Sequence, residues 1–157
     1  MQKGWTTTKL IAAGSFGVLA FVLALFEAGI VAATGFALAG GVLGALLEPA
    51  IRLLCCHVID RFGSATIMGL ILGLLAIPIA FQGPPGFVPK VITQLIGGIG
   101  TDLMYLLLKR KKILASAVIG GVNRIIYLLL ILQIGRWFGM PGIEEAAAAF
   151  TSPIVVG

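Results

Sequence analysis

Apolar side chains run almost unbroken through five stretches of the chain, residues 10–26, 28–47, 64–81, 87–108 and 113–138, with short polar or turn-rich segments between them. Each stretch is near the roughly 20 apolar residues that an α-helix needs to cross a hydrocarbon layer about 30 Å thick. The pattern predicts an all-α, polytopic membrane helix bundle of five transmembrane helices in one domain, residues 1–157. Between the first two stretches stand only Glu27 and the Gly29 region, which predicts a tight turn at the membrane interface.

Residues 48–63 (EPAIRLLCCHVIDRFG) differ in kind, because Arg52, His57, Asp60 and Arg61 are mixed with Ile51, Leu53, Leu54, Val58 and Ile59. With Pro49 suited to a first helical turn and Gly63 to an exit, they read either as an amphipathic helix on the membrane surface or as an ordinary loop. Residues 82–89 (QGPPGFVP) tolerate no continuous helix and predict a rigid connector. In the tail, residues 139–157, a Pro141-Gly142 break precedes Glu144, Glu145 and an Ala-rich run, which predicts a partial sixth span or an interfacial helix. Lys3 and Lys9 ahead of the first stretch have the charge order of a signal peptide. The length of that stretch, and the second one that follows at once, favour a retained first span.

Composition sharpens the membrane reading: 59% of residues are hydrophobic, 11% are charged, and mean hydropathy is +1.12. No water-soluble core of this size hides so much apolar surface. The net charge of +5 follows topology. A cytoplasmic N-terminus puts Lys3, Lys9, Arg52, Arg61, Lys109, Arg110, Lys111 and Lys112 inside and leaves Lys90 and Arg136 outside, as expected for a multi-pass protein of the plasma (cytoplasmic) membrane. A nucleic-acid partner is not expected, since the basic residues form neither a stripe nor a binding module. Cys55 and Cys56 are the only cysteines; they exclude a disulfide framework, and with His57 they lack a second cluster to complete a metal site. His57 is the sole histidine, and nucleophile elbow and phosphate loop are both absent. No catalytic residue, metal or cofactor is expected, and the chain is not expected to be an enzyme.

Ionisable groups within spans are costly and face a partner or a cavity, which singles out Asp102 and Arg124. On neighbouring antiparallel helices they predict an intramembrane ion pair, either structural or part of a substrate or proton path. Glu27, Gln82, Gln94 and Gln133 fall at a similar outer depth on four helices, with Phe81, Phe87, Tyr127 and Trp137 as aromatic walls. They compose either a small-molecule pocket open to the outside or separate interfacial residues. Small residues recur four apart at Ala20, Ala24 and Ala28, at Gly40 and Gly44, at Gly69 and Gly73, and at Ala117 and Gly121. Such spacing lets helix backbones approach closely, within the chain or against another membrane subunit.

The residues Glu48-Pro-Ala-Ile-Arg52, then Asp60-Arg-Phe-Gly-Ser-Ala-Thr66 leading into Gly69, then Gln94 with Gly97-Gly98 and Asp102-Leu103, resemble the substrate-binding membrane subunits (S components) of energy-coupling-factor transporters. The branch most similar is the one associated with hydroxymethylpyrimidine, a thiamine precursor. The similarity covers roughly residues 40 to 125. It implies a helical bundle that captures a vitamin-like solute outside and works with a transmembrane coupling subunit and two cytoplasmic ATPases, where ATP hydrolysis would reside. It also implies docking of the coupling subunit on Ala20, Ala24 and Ala28. The chain departs from the family in having five clear spans rather than six. A rival reading is a small homo-oligomeric channel or exporter lined by Asp102 and Arg124, and a third is an assembly subunit with no solute of its own.

Overall fold

The computed structural model describes residues 4–34, 37–79 and 85–108, together with residues 125, 129–130, 132–139, 144 and 148. The protein is all-α. Its elements are α1 (Thr7–Thr34), α2 (Ala37–Ile59), α3 (Ser64–Ala76) and α4 (Pro89–Leu108), and residues 132–137 are also helical. Among the described residues, two stretches are long and apolar enough to cross a membrane: Thr7–Ile30, with mean hydropathy 2.1, and Pro89–Leu108, with 1.5. Most of the predicted span over residues 113–138, and nearly all of the tail, lie outside the described residues.

Three predicted boundaries are corrected, the first being that of α3, which is 13 residues long and ends at Ala76 rather than spanning residues 64–81. Helix α1 does not turn at Glu27 but runs on to Thr34. The charge that marks an interface in the sequence is in fact buried, with its carboxylate filling the space a Cβ would take on Gly44 of α2. Likewise Glu48 to Ile59 form neither a separate surface helix nor a loop; they are the C-terminal half of α2, with Pro49 inside it. The reason is their buried face, Glu48, Arg52, Cys55, Cys56 and Ile59, which recurs at helical spacing and packs into the bundle. The charged positions near its end, His57 and Asp60, stay exposed.

The helices pack chiefly as α2 on α1, α1 on α3, and α3 on α4, while α2 also touches α3 and α4. Antiparallel order for α1 and α2 follows from Lys9 near the start of α1, whose Nζ donates to the carbonyl of Ile59 at the end of α2 (3.0 Å). Residues 60–63 make the tight reversal into α3; Asp60 (φ 50°) and Gly63 (φ 94°) take left-handed backbone, which glycine adopts at no steric cost.

The closest helix approaches are made at glycines. A Cβ on Gly17 of α1 would stand 2.9 Å from the Ile71 side chain of α3. One on Gly73 of α3 would stand 2.8 Å from the Val91 backbone of α4, and one on Gly98 of α4 would stand 2.6 Å from the Ala65 carbonyl. The spacing of Gly69 and Gly73 therefore serves packing within the chain. So do Ala20 and Ala24, buried in a core of Ala13, Cys55, Ile59, Met68, Leu72 and Ala76. Ala28 is half-buried. Large apolar side chains instead point outward along α1 (Ile11, Val18, Leu19, Val22, Phe26) and α4 (Ile92, Ile96, Ile99, Leu103, Leu107).

Candidate functional site

Helix α3 is short, and both its ends are served by ions of α4. Its first backbone N–H groups have no intrahelical acceptor, and its N-cap, Gly63, has no side chain to offer one. Asp102 of α4 supplies the cap. Its Oδ1 accepts from the Ala65 N–H (3.1 Å) and the Ser64 hydroxyl (3.4 Å). Its Oδ2 accepts from the Thr66 N–H (2.9 Å) and hydroxyl (2.7 Å). The Cys56 thiol of α2 donates to the same carboxylate at 3.6 Å. A negative charge there also complements the positive end of the helix dipole.

At the other end, the Nζ of buried Lys90 donates to the carbonyls of Ala76 (3.3 Å) and Ile79 (2.6 Å), among the acceptors that a helix C-terminus leaves open. Asp102 and Lys90 stand about 18 Å apart along α4 at 1.5 Å per residue, close to the length of α3. One helix thus holds its shorter neighbour at both ends with charges of the right sign.

Between these clamps lies a third buried ion. Arg52 of α2 is 2% exposed. Its Nη2 and Nε donate to Glu48 Oε1 one turn earlier (2.8 and 3.3 Å), and its Nη2 also donates to Gln94 Oε1 of α4. Among the described residues, its Nη1 is buried with no hydrogen-bond partner. That nitrogen lies beside two glycines: a Cβ on Gly97 would be 3.3 Å from it, and one on Gly69 3.5 Å. Glu48, Arg52 and Cys56 follow one another at four-residue spacing and Gly44 precedes them, so one face of α2 carries a polar seam from Glu27 to Asp102 through an otherwise apolar interior.

Among the predicted site residues, Gln94 enters this seam, and Glu27 touches α2 one turn before Glu48. Gln133 and Trp137 are exposed, Trp137 at 74%, and do not converge with Gln94. The aromatic contact in that region is Phe87 on Phe138, edge to face at 6.0 Å. Gln82, Tyr127 and Arg124 lie outside the described residues; the hydrogen bonds of Asp102 run to α2 and α3. An open groove on α1 lined by Leu25, Phe26, Gly29, Ile30 and Ala33 is apolar and holds none of the predicted site residues. Arg52 and Glu48 are absent from the sequence-derived site. Their four-residue spacing inside an apolar run was the available signal of a buried pair. Comparison of the chain with protein families, with curated proteins and with solved structures finds no match.

Proposed function

We propose that this chain is the solute-capture subunit of an energy-coupling-factor type importer, spanning the cytoplasmic membrane with its N-terminus inside. In this reading it takes up a small vitamin-like heterocycle from outside, such as a thiamine precursor, and is not itself an enzyme. A transmembrane coupling subunit and cytoplasmic ATPases supply the energy. The observation that carries the reading is the buried Glu48–Arg52–Gln94 cluster within a bundle whose outer faces are apolar. Ions are expensive in such surroundings, and those lacking full partners mark solute or ion pathways. With Ala20 and Ala24 in the core, the coupling subunit docks on another face.

The N-inside orientation draws on the same charge asymmetry as before. Arg52 no longer counts, since it sits about 10 Å inside the end of α2, yet the remaining inside residues still outnumber Lys90 and Arg136. A cysteine placed at exposed Val88, in a chain lacking Cys55 and Cys56, reacts with an impermeant reagent only from outside; labelling only from the cytoplasm contradicts the orientation. Function is tested by equilibrium binding of vitamin-like heterocycles to the detergent-purified chain alone. A capture subunit binds without its ATPases. A folded chain that binds none of them and conducts ions after reconstitution is instead a channel.

A further inference from the structure

We propose that the corner where α1 begins and α2 turns into α3 binds the headgroup of an anionic phospholipid. There the Arg61 guanidinium donates to the phosphate, Lys9 adds charge, and the Trp5 ring lies where headgroups meet acyl chains. The proposal goes beyond solute capture and rests only on the membrane-spanning part of the reading above.

Two contacts define the corner. The Lys9 Nζ of α1 donates to the Ile59 carbonyl that ends α2 (3.0 Å), and the Trp5 ring lies against Gly63, where a Cβ would stand 3.5 Å from its Cζ2. Asp60 and Gly63 reverse the chain in left-handed backbone, with Arg61 and an exposed Phe62 between them. Behind this reversal the exposed side chains of both helices are apolar: Leu10 and Ile11 follow Lys9 on α1, and Leu54 and Val58 precede Ile59 on α2. The change from apolar to charged surface thus falls at one level on two helices. A tryptophan at such a level anchors a span at the lipid–water boundary. Inorganic phosphate gains nothing from the apolar collar, whereas the acyl chains of a phospholipid cover it.

The charges select the headgroup. Arg61 is half-buried, and among the described residues its guanidinium has no hydrogen-bond or salt-bridge partner. Lys9 meets a neutral carbonyl. Against these two cations stands Asp60, exposed beside Arg61, so the corner keeps a net positive charge. Arg136, exposed at the opposite end of the bundle, differs in being already held by Glu144 through two contacts of 3.1 Å. A guanidinium matches a phosphate with two parallel N–H groups. An anionic headgroup such as phosphatidylglycerol leaves the phosphate charge open, while phosphatidylcholine offsets it with its own ammonium.

The test uses the full chain in vesicles of equal parts phosphatidylglycerol and phosphatidylcholine, with Trp137→Phe so that Trp5 is the only tryptophan left. One lipid at a time carries bromine on its acyl chains, which quenches a tryptophan in contact with it. Brominated phosphatidylglycerol quenches Trp5 the more strongly, at an enrichment of about fivefold, the effect of roughly one cation near an anionic surface. Arg61→Gln brings the two lipids to near parity and leaves the unfolding midpoint close to that of the parent chain, whereas Arg136→Gln keeps the preference. Should Arg61→Gln fail to fold, salt decides on the parent chain: at about 1 M, where the screening length is about 3 Å, the preference is lost. Equal quenching by the two lipids in the parent chain, or a preference that survives Arg61→Gln or high salt, overturns the headgroup site and leaves the membrane reading standing. Trp5 quenched by neither lipid overturns the place of the corner at the bilayer surface. Neither result touches solute capture, which has its own binding assay.

Discussion

Asp102 and Arg52 are equally buried, each 2% exposed, yet among the described residues one is fully partnered and the other is not. Both oxygens of Asp102 accept from the start of α3, two backbone N–H groups among the donors. Arg52 has a counter-ion and an amide, but one of its three nitrogens is left over. The contrast separates two uses of a buried charge. Asp102 satisfies groups that the fold itself creates, because a helix that begins inside a bundle must find acceptors for its first turn. Nothing in the fold asks for Arg52, whose contacts only offset its own burial.

If that contrast is right, Asp102 carries the larger stability effect. Asp102→Ala strands the Ala65 and Thr66 N–H groups, at about 1 to 3 kcal/mol each, so unfolding stability falls by roughly 2 to 6 kcal/mol. Asp102→Asn keeps one acceptor and recovers part of the loss; equal losses in denaturant unfolding would make charge, not hydrogen bonding, the source. Gly98→Ala overpacks α4 against the α3 backbone and costs about 1 to 3 kcal/mol, read as a lowered unfolding midpoint. Lys90→Met removes the donors to Ala76 and Ile79 but also a buried ammonium, so the net loss is smaller, about 1 kcal/mol. A gain in stability from that change would show Lys90 to be a burden that packing tolerates. Lys9→Ala, at the part-buried end of α2, costs about 0.5 kcal/mol; a loss as large as that of Asp102→Ala would erase the ranking.

Much of the fold is legible in the apolar runs. The start of α3 follows from the Gly63 exit and the start of α4 from the proline-rich connector over residues 82–89, whereas α3 stops at Ala76, short of the predicted residue 81; the four-residue spacing of Gly69 and Gly73 correctly predicts close helix contact. Glu27 and Arg52 mislead for one shared reason: a charge inside an apolar run reads as a marker of the interface. Each instead turns into the bundle, Glu27 against the bare backbone of Gly44 and Arg52 onto Glu48 and Gln94. Asp102 stands out in the sequence because an acid in an apolar run must have partners. The partners it has are backbone N–H groups of α3, and since every residue but proline carries one, no letter of the sequence distinguishes them. Gly97-Gly98 reads as one packing doublet, and only the neighbours in space tell the two positions apart.

The difference between the two buried charges is measured most directly by unfolding midpoints of Asp102→Ala and of the double change Glu48→Leu with Arg52→Met. Asp102→Ala lowers the midpoint strongly, because the Ala65 and Thr66 N–H groups lose their acceptor. The double change leaves it near that of wild type, because an ion pair that only offsets its own burial is replaced by apolar side chains. A double change that costs as much as Asp102→Ala would contradict the distinction.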